Sequence, residues 1–344
     1  MNTKKLLSLV MMLLTVHCGI GQTNETINSN NRNSNNSVLF VNNQEQIDQV
    51  VRTMFQDSKG HIWFGTESGV FKYNGDSIQF INGIESQSGK GVTIKDITEN
   101  IDGSIWLGHT SGVSRIVGKS VSNYYVSDGL SSNDVWCITS DRNGNIWIGT
   151  FNGVSIFDGK KFSNFELPIG KLDESVGISS TKMVHHIKED RNGTIWFSTN
   201  AGLFSFYNGK LSNVSNKIGI ETTFVKEVFE DAKGALWIAT KKGLYQLFKN
   251  EVKNITKGKI PNGKGIGSIA EDKNGTVWFV SNQHYLFTYI KGKLVKYKKS
   301  PKNKGPVIFE IFNDKKNRLW FIGYGGAFRM DNGKFLNITK NGPW

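Results

Sequence analysis

Asp141-Arg-Asn-Gly-Asn-Ile-Trp147-Ile-Gly-Thr150-Phe-Asn-Gly153 reads as a tight turn, a short buried strand and a second turn. The stretch recurs seven times along the 344 residues, centred on Trp63, Trp106, Trp147, Trp196, Trp237, Trp278 and Trp320. The spacings are 43, 41, 49, 41, 41 and 42 residues. A repeat of that period built from short strands predicts an all-β, seven-bladed β-propeller of four-stranded antiparallel blades. Hydrophobic residues make up 38% of the chain, with nine Trp and 22 Phe. That is enough for one large core, and 38 Gly against five Pro suits a chain with many tight turns.

Each unit contains four strand-like pieces. The innermost ends at the turn aspartate, as in Val135–Ser140, Val184–Glu189, Val225–Glu230 and Ile266–Glu271. An Asp-x-x-Gly turn follows, in which the Asp side chain can bond the turn backbone and Gly supplies positive φ. Asn100 stands in the Asp column of the second unit and Asn317 in the Gly column of the seventh, and both tolerate that geometry. The Trp piece is apolar on both sides of its pleat, which predicts burial on both faces between neighbouring blades. A calcium loop is a weaker reading of residues 141–145, because no downstream bidentate Glu accompanies them. The third-to-fourth spacing holds about eight extra residues within 166–183, expected to form a surface loop.

Residues 1–21 read as a signal peptide. Lys4 and Lys5 precede an apolar run over residues 6–16 that is too short to span a bilayer. Cleavage before Gln22 is the expected outcome, and lipidation of Cys18 in a poor lipobox is the alternative. Residues 22–37 are Asn- and Ser-rich and are expected to be a disordered linker. The propeller then occupies residues 38–344. No later run is long enough for a transmembrane span. These features place the protein outside the cytoplasm, in the periplasm or at the cell surface. Cys137 has no partner for an intrachain disulfide once Cys18 is removed or acylated, and is expected to be a buried, inert thiol. Residues 38–41 look like an extra outer strand. They are expected to close the ring on the seventh blade, beside or instead of residues 335–338.

The string Asp-x-x-Gly-x-hydrophobic-Trp-hydrophobic-Gly-Thr-x-x-Gly-Leu/Val, best matched at residues 57–70, 141–154, 190–203 and 231–244, resembles the two-component regulator propeller repeat. The resemblance implies an extracytoplasmic sensor fold. In that family such propellers often recognise glycan-derived ligands for hybrid sensor kinases. The sequence reads as a single propeller without the immunoglobulin-like module, membrane span or kinase of those proteins. Binding is therefore expected of it, while signal transduction is not implied.

Structural columns repeat, so the varying columns at one end of the blades are the candidates for binding. Just inside each inner strand stand Arg52, Lys95, Trp136, His185, Lys226, Gly267 and Phe309. In the loop after each Trp strand stand Glu67, Thr110, Phe151, Asn200, Lys241, Asn282 and Tyr324, and His284 is read as replacing the loop Gly of the sixth unit. Mixed basic and aromatic residues around one mouth suit a carboxylated or sulfated sugar: Lys and Arg meet the anion, and aromatic faces take the apolar side of the ring. The net charge of +13 also favours acidic partners. The expected ligand is carbohydrate or anionic, or a protein partner, with nucleic acid excluded by export. No metal or cofactor is expected, because His185 and His186 are adjacent in a strand and point to opposite sides. Two other functions compete. Virginiamycin B lyase-like propellers carry similar Gly-x-x-Trp repeats, and an enzyme of that kind would draw on His185, His284 and Glu67 with a cation. The other is a structural interaction scaffold. The lysine-rich stretch over residues 291–304 reads as edge-strand protection or as a patch for an acidic polymer.

Overall fold

The computed structural model describes residues 45–170, 180–260, 265–300 and 305–344. The signal segment, the Asn/Ser-rich linker, Cys18, residues 38–41 and part of the long third-to-fourth loop lie outside the described residues. Seven four-stranded antiparallel sheets are arranged as the blades of a ring, each with its strands in sequence order from the axis outward. One short 3-10 helix, Val126–Asp128, is the only helix among the described residues. None of them forms a helix long and apolar enough to cross a membrane.

The inner strands are Val51–Gln56, Ile94–Glu99, Val135–Ser140, Val184–Glu189, Val225–Glu230, Ile266–Glu271 and Val307–Asn313. The second strands carry the Trp column: Ile62–Thr66, Ile105–His109, Ile146–Thr150, Ile195–Thr199, Leu236–Thr240, Val277–Ser281 and Leu319–Tyr324. The first six are buried at every residue, as expected of a layer packed between two neighbouring blades.

The turns hold a bond that the residue pattern alone did not reveal. Asp141 accepts the backbone N–H groups of Asn143 and Asn145 through Oδ1, both at 2.9 Å, and the Trp147 indole N–H through Oδ2 at 2.9 Å. The indole bond to the turn aspartate recurs at Asp57–Trp63, Asp190–Trp196, Asp231–Trp237, Asp272–Trp278 and Asp314–Trp320. In the second blade, where Asn100 occupies the column, Trp106 donates instead to Ser104 Oγ at 2.9 Å, and Ser104 donates to Asp102. The aspartate is thus a turn cap and an anchor for the Trp. Asn317 takes the left-handed conformation with φ of 57°, as its place in the Gly column requires.

Neighbouring blades are stitched by side chains that accept backbone N–H groups. Asp96 accepts from Ile138, Glu227 from Ile269, Ser268 from Ile311 and Glu310 from Met54. At the turns, the Glu189 carboxylate accepts Arg142 N–H and Glu230 accepts Arg191 N–H. The seam between the seventh and first blades uses the same devices, because Lys315 N–H donates to Gln56 Oε1 at 2.7 Å.

Residues 45–50 strengthen that seam. Gln46 Nε2 donates to Gly325 O at 3.1 Å, Gly325 N–H donates to Gln49 O, and Lys340 N–H donates to Glu45 O. Ile47 is buried with Trp320 and Ile322 of the seventh blade and Met54 and Phe64 of the first. The outer strand of the seventh blade is Lys334–Ile338. Blade seven thus completes its four strands from its own repeat, and residues 38–41, expected beside or instead of residues 335–338, lie outside the described residues.

Candidate functional site

Every inner strand slips register against its Trp strand at the same place. The partners jump from Val51 to Thr53, Ile94 to Asp96, Val135 to Cys137, Val184 to His186, Val225 to Glu227 and Ile308 to Glu310, and in the sixth blade from Ile266 to Ile269. The skipped residues are Arg52, Lys95, Trp136, His185, Lys226, Phe309 and, in blade six, Gly267 with Ser268. A β-bulge frees one residue from pairing and re-aims its side chain. The bulge thus sits on the column that the repeat pattern singled out. In the first five blades the residue opposite is small, and in the third a Cβ added at Gly149 would collide with Cys137 Sγ and Val184 of the next blade.

The second candidate column meets the first. In the first six blades the loop residue after the Trp strand donates its N–H to the carbonyl just before the inner strand, as in Glu67 to Val50, Phe151 to Asp134 and Lys241 to Phe224, and in the seventh Tyr324 pairs with Val307 at the start of the inner strand. Both columns therefore ring one end of the propeller.

Two groups form there. On one side Arg52 lies over the Phe309 ring, 4.9 Å from its centroid, and forms an ion pair with Glu67, while Phe309 meets Tyr324 edge-on at 5.0 Å. On the other, the Lys95 ammonium sits 3.5 Å above the Trp136 ring. Asp134 fixes both, accepting from Lys95 Nζ at 3.2 Å and from Trp136 Nε1 at 3.1 Å. Trp136 meets His185 edge-on at 6.4 Å, His185 meets Phe224 at 4.6 Å, and Lys241 lies over Phe224 at 5.2 Å. The chain Lys95–Trp136–His185–Phe224–Lys241 thus runs across blades two to five. Asp134 and Phe224 were missed because they precede the inner strands, outside both columns.

Charge is not evenly compensated. Arg52 and Lys95 have carboxylate partners, whereas among the described residues Lys226 and Lys241 have none within ion-pair distance. Burial lowers the Lys95 pKa, opposed by Asp134. Burial also lowers that of Lys226; Glu227 and Asp96 oppose this, and Lys241 adds to it. The bulge brings a second set of groups to the axis. Burial pushes Asp96 up to about 7 and Glu227 up to about 8, partly offset by backbone N–H bonds and by Lys226 and Lys188. Burial also raises Glu310 well above its ordinary value.

The histidines are structural in their surroundings. His185 Nε2 pairs with Asn200 Oδ1 at 2.6 Å, and burial with nearby Lys226 brings its pKa down to about 3. His186 Nδ1 faces Val228 N–H at 3.5 Å and is likewise held at about 3 by burial. His109 is fully buried, accepts Ser111 N–H and pairs with Ser114 Oγ, so it substitutes for the Thr that caps this turn in other blades. Its pKa falls to about 4 by burial. His284 stands exposed on the rim. It does not replace the loop Gly: Tyr285 pairs with Ser281 where Gly243 pairs with Thr240, so the sixth loop is one residue longer. Among the described residues no group of three or more His, Cys, Asp and Glu side chains is placed to hold one metal ion. Cys137 is buried and free, its thiol pKa raised well above normal by burial.

Three segments, residues 45–68, 129–152 and 177–201, match the two component regulator propeller model. Among solved structures, the extracellular domain of a one component system from B. thetaiotaomicron is similar at a TM-score of 0.66 and 21% identity, covering 81% of this chain and 38% of that one. The extracellular domain of a hybrid two component system from the same organism gives a TM-score of 0.65 at 21% identity, covering 83% and 40%. The chain thus spans about two fifths of the length of these relatives. Virginiamycin B lyase from Staphylococcus aureus gives a TM-score of 0.64 at 16% identity, covering 82% of this chain and 95% of the lyase. Identities this low carry the fold alone. No curated protein matches the chain.

Proposed function

We propose, for a chain built of two-component regulator propeller repeats, that the bulge-lined mouth is a non-catalytic binding site for an anionic, ring-bearing ligand met outside the cytoplasm, a carboxylated or sulfated sugar being the class that fits best. The observation that carries this reading is the register slip, repeated in all seven blades, that turns the variable column into the mouth.

The anion belongs at Lys226 and Lys241, whose charges have no ion-pair partner among the described residues. The rings beneath Lys95, Lys241 and Arg52 hold those cations in place before the ligand arrives, which lowers the entropy lost on binding. Tyr324 and Phe151 are exposed, 49% and 38%, and offer open faces to the apolar side of a sugar ring. Export is supported by the leader-like first residues and by the extracellular placement of the similar domains.

A lyase reading needs a histidine that carries a proton near neutrality. His185, with a pKa near 3 and its Nε2 engaged by Asn200, does not supply one. Binding to an array of acidic and neutral glycans tests the proposal. Acidic glycans captured by the wild type and lost by a Lys95→Ala, Trp136→Ala, Lys226→Ala triple variant support it. Metal-dependent turnover abolished by His185→Ala or His284→Ala would support the lyase instead.

A further inference from the structure

The excess positive charge gathers at the end of the ring opposite the mouth. Each inner strand runs from the mouth to its Asp turn, and each third strand runs to the hairpin before the outer strand, so these turns share one face. All seven blades place an exposed Lys or Arg there. Lys59, Lys119 and Lys160 serve the first three blades, and Lys210, Lys249 and Lys291 the next three. Lys316 and Lys334 serve the seventh. The exposed acids of the same turns are Asp76, Asp102, Asp158, Glu251 and Asp331, fewer than the exposed bases. Of these, Asp102 is already paired with Arg115, and Asp158 caps the N–H groups of Lys160 and Lys161.

Exposed apolar side chains stand beside these bases. Tyr207, 50% exposed, ends a third strand three residues before Lys210. Phe248 ends another, with the Lys249 ammonium 5.3 Å from its ring centroid. Val117 is exposed two residues before Lys119, and Ile101 lies exposed in an Asp turn. Lysines spread over a whole face, with aromatic and aliphatic tips between them, match the headgroup layer of an anionic bilayer, where ammonium groups meet phosphate and amphipathic rings sit at the interface. A soluble polyanion would use the lysines and gain nothing from the tips.

We propose that this turn face docks on an anionic lipid membrane, with the mouth directed away from the lipid. The proposal is independent of what the mouth binds. The test is co-sedimentation of the exported protein, carrying Cys18→Ser so that no acyl chain contributes, with vesicles of phosphatidylcholine alone or with about a third phosphatidylglycerol. Binding to the anionic vesicles only, weakening as salt shortens the ~10 Å screening length of 0.1 M electrolyte, is expected. Each interfacial Lys adds on the order of fivefold in affinity. The Lys210→Glu, Lys249→Glu, Lys291→Glu variant should therefore lose at least about tenfold. Tyr207→Ser with Phe248→Ser should weaken binding severalfold at constant charge, while Lys95→Ala with Lys241→Ala at the mouth should leave it unchanged. Absence of binding, or binding that survives the charge reversal, overturns the proposal. So does loss with the mouth variant, as does wild-type binding by the Tyr207→Ser, Phe248→Ser protein under full competition from polyphosphate, which would mark a soluble polyanion site.

Discussion

The Asp141 carboxylate accepts the Trp147 indole N–H at 2.9 Å while its other oxygen caps the turn between them. Removing it with Asp141→Ala leaves a buried indole donor and two turn N–H groups without an acceptor. The expected cost is about 2–3 kcal/mol in urea unfolding followed by Trp fluorescence. In the second blade the acceptor is a hydroxyl, so Ser104→Ala should cost about 1–2 kcal/mol, and Asn100→Ala should leave the Trp106 bond intact.

The seam between the seventh and first blades rests on Ile47, 1% exposed among side chains from both. Ile47→Ala opens a cavity there and should cost about 2–4 kcal/mol. Deleting residues 22–42 measures separately whether residues 38–41 add to the seam. A melting temperature that drops for Ile47→Ala but not for the deletion assigns closure to residues 45–50 alone.

The axial carboxyls set a pH dependence. Asp96 and Glu227 keep their protons in the folded chain up to about pH 7 and 8, whereas the unfolded chain loses them near the ordinary values of 3.8 and 4.5. The folded state then binds more protons across that window, so these groups lower stability as pH rises from about 4 to 8 and have no further effect above it. Asp96→Asn with Glu227→Gln keeps an acceptor for Ile138 and Ile269 N–H and removes the titration. The variant should match the wild type at pH 4 and exceed it by about 2 kcal/mol or more at pH 8.5, measured by urea unfolding at both values.

The same carboxyls lie beside Lys226. Their ionisation puts negative charge beside the proposed anion seat, so affinity for an acidic ligand should fall between pH 6 and 8.5. His185 stays neutral throughout, its pKa being about 3, and contributes nothing to the change. In the Asp96→Asn, Glu227→Gln protein the affinity should be flat over that range. A fall of equal size in both proteins would place the titrating group elsewhere.

The fold was legible because a propeller repeats its burial: a Trp at near-constant spacing marks the layer between blades, and Trp147 fixes the register of all its neighbours. That the variable column gathers at one end was legible for the same reason, since Arg52, Lys95 and Trp136 differ while Val51, Ile94 and Val135 just before them stay apolar. Its depth was not. Strict alternation would send Asp96 and Glu227 to the opposite side from Lys95 and Lys226. The bulge, a property of pairing between strands, brings both kinds of residue to the axis. His284 was misplaced because one extra residue in a hairpin shifts pairing without changing the repeat spacing enough to notice. The Asp-to-Trp bond was readable in principle, as an Asp six residues before the Trp in six of the seven repeats.

The central claim, an anion seat between Lys226 and Lys241, is tested most directly by titration calorimetry with a uronic-acid oligosaccharide and its neutral carboxyl-reduced counterpart. The account predicts that the wild type binds the acidic form at least about tenfold more tightly, equivalent to about 1.4 kcal/mol, and that Lys226→Met with Lys241→Met abolishes this difference while the melting temperature is retained. Equal binding of the two sugars by the wild type, or an unchanged preference in the double variant, would contradict it.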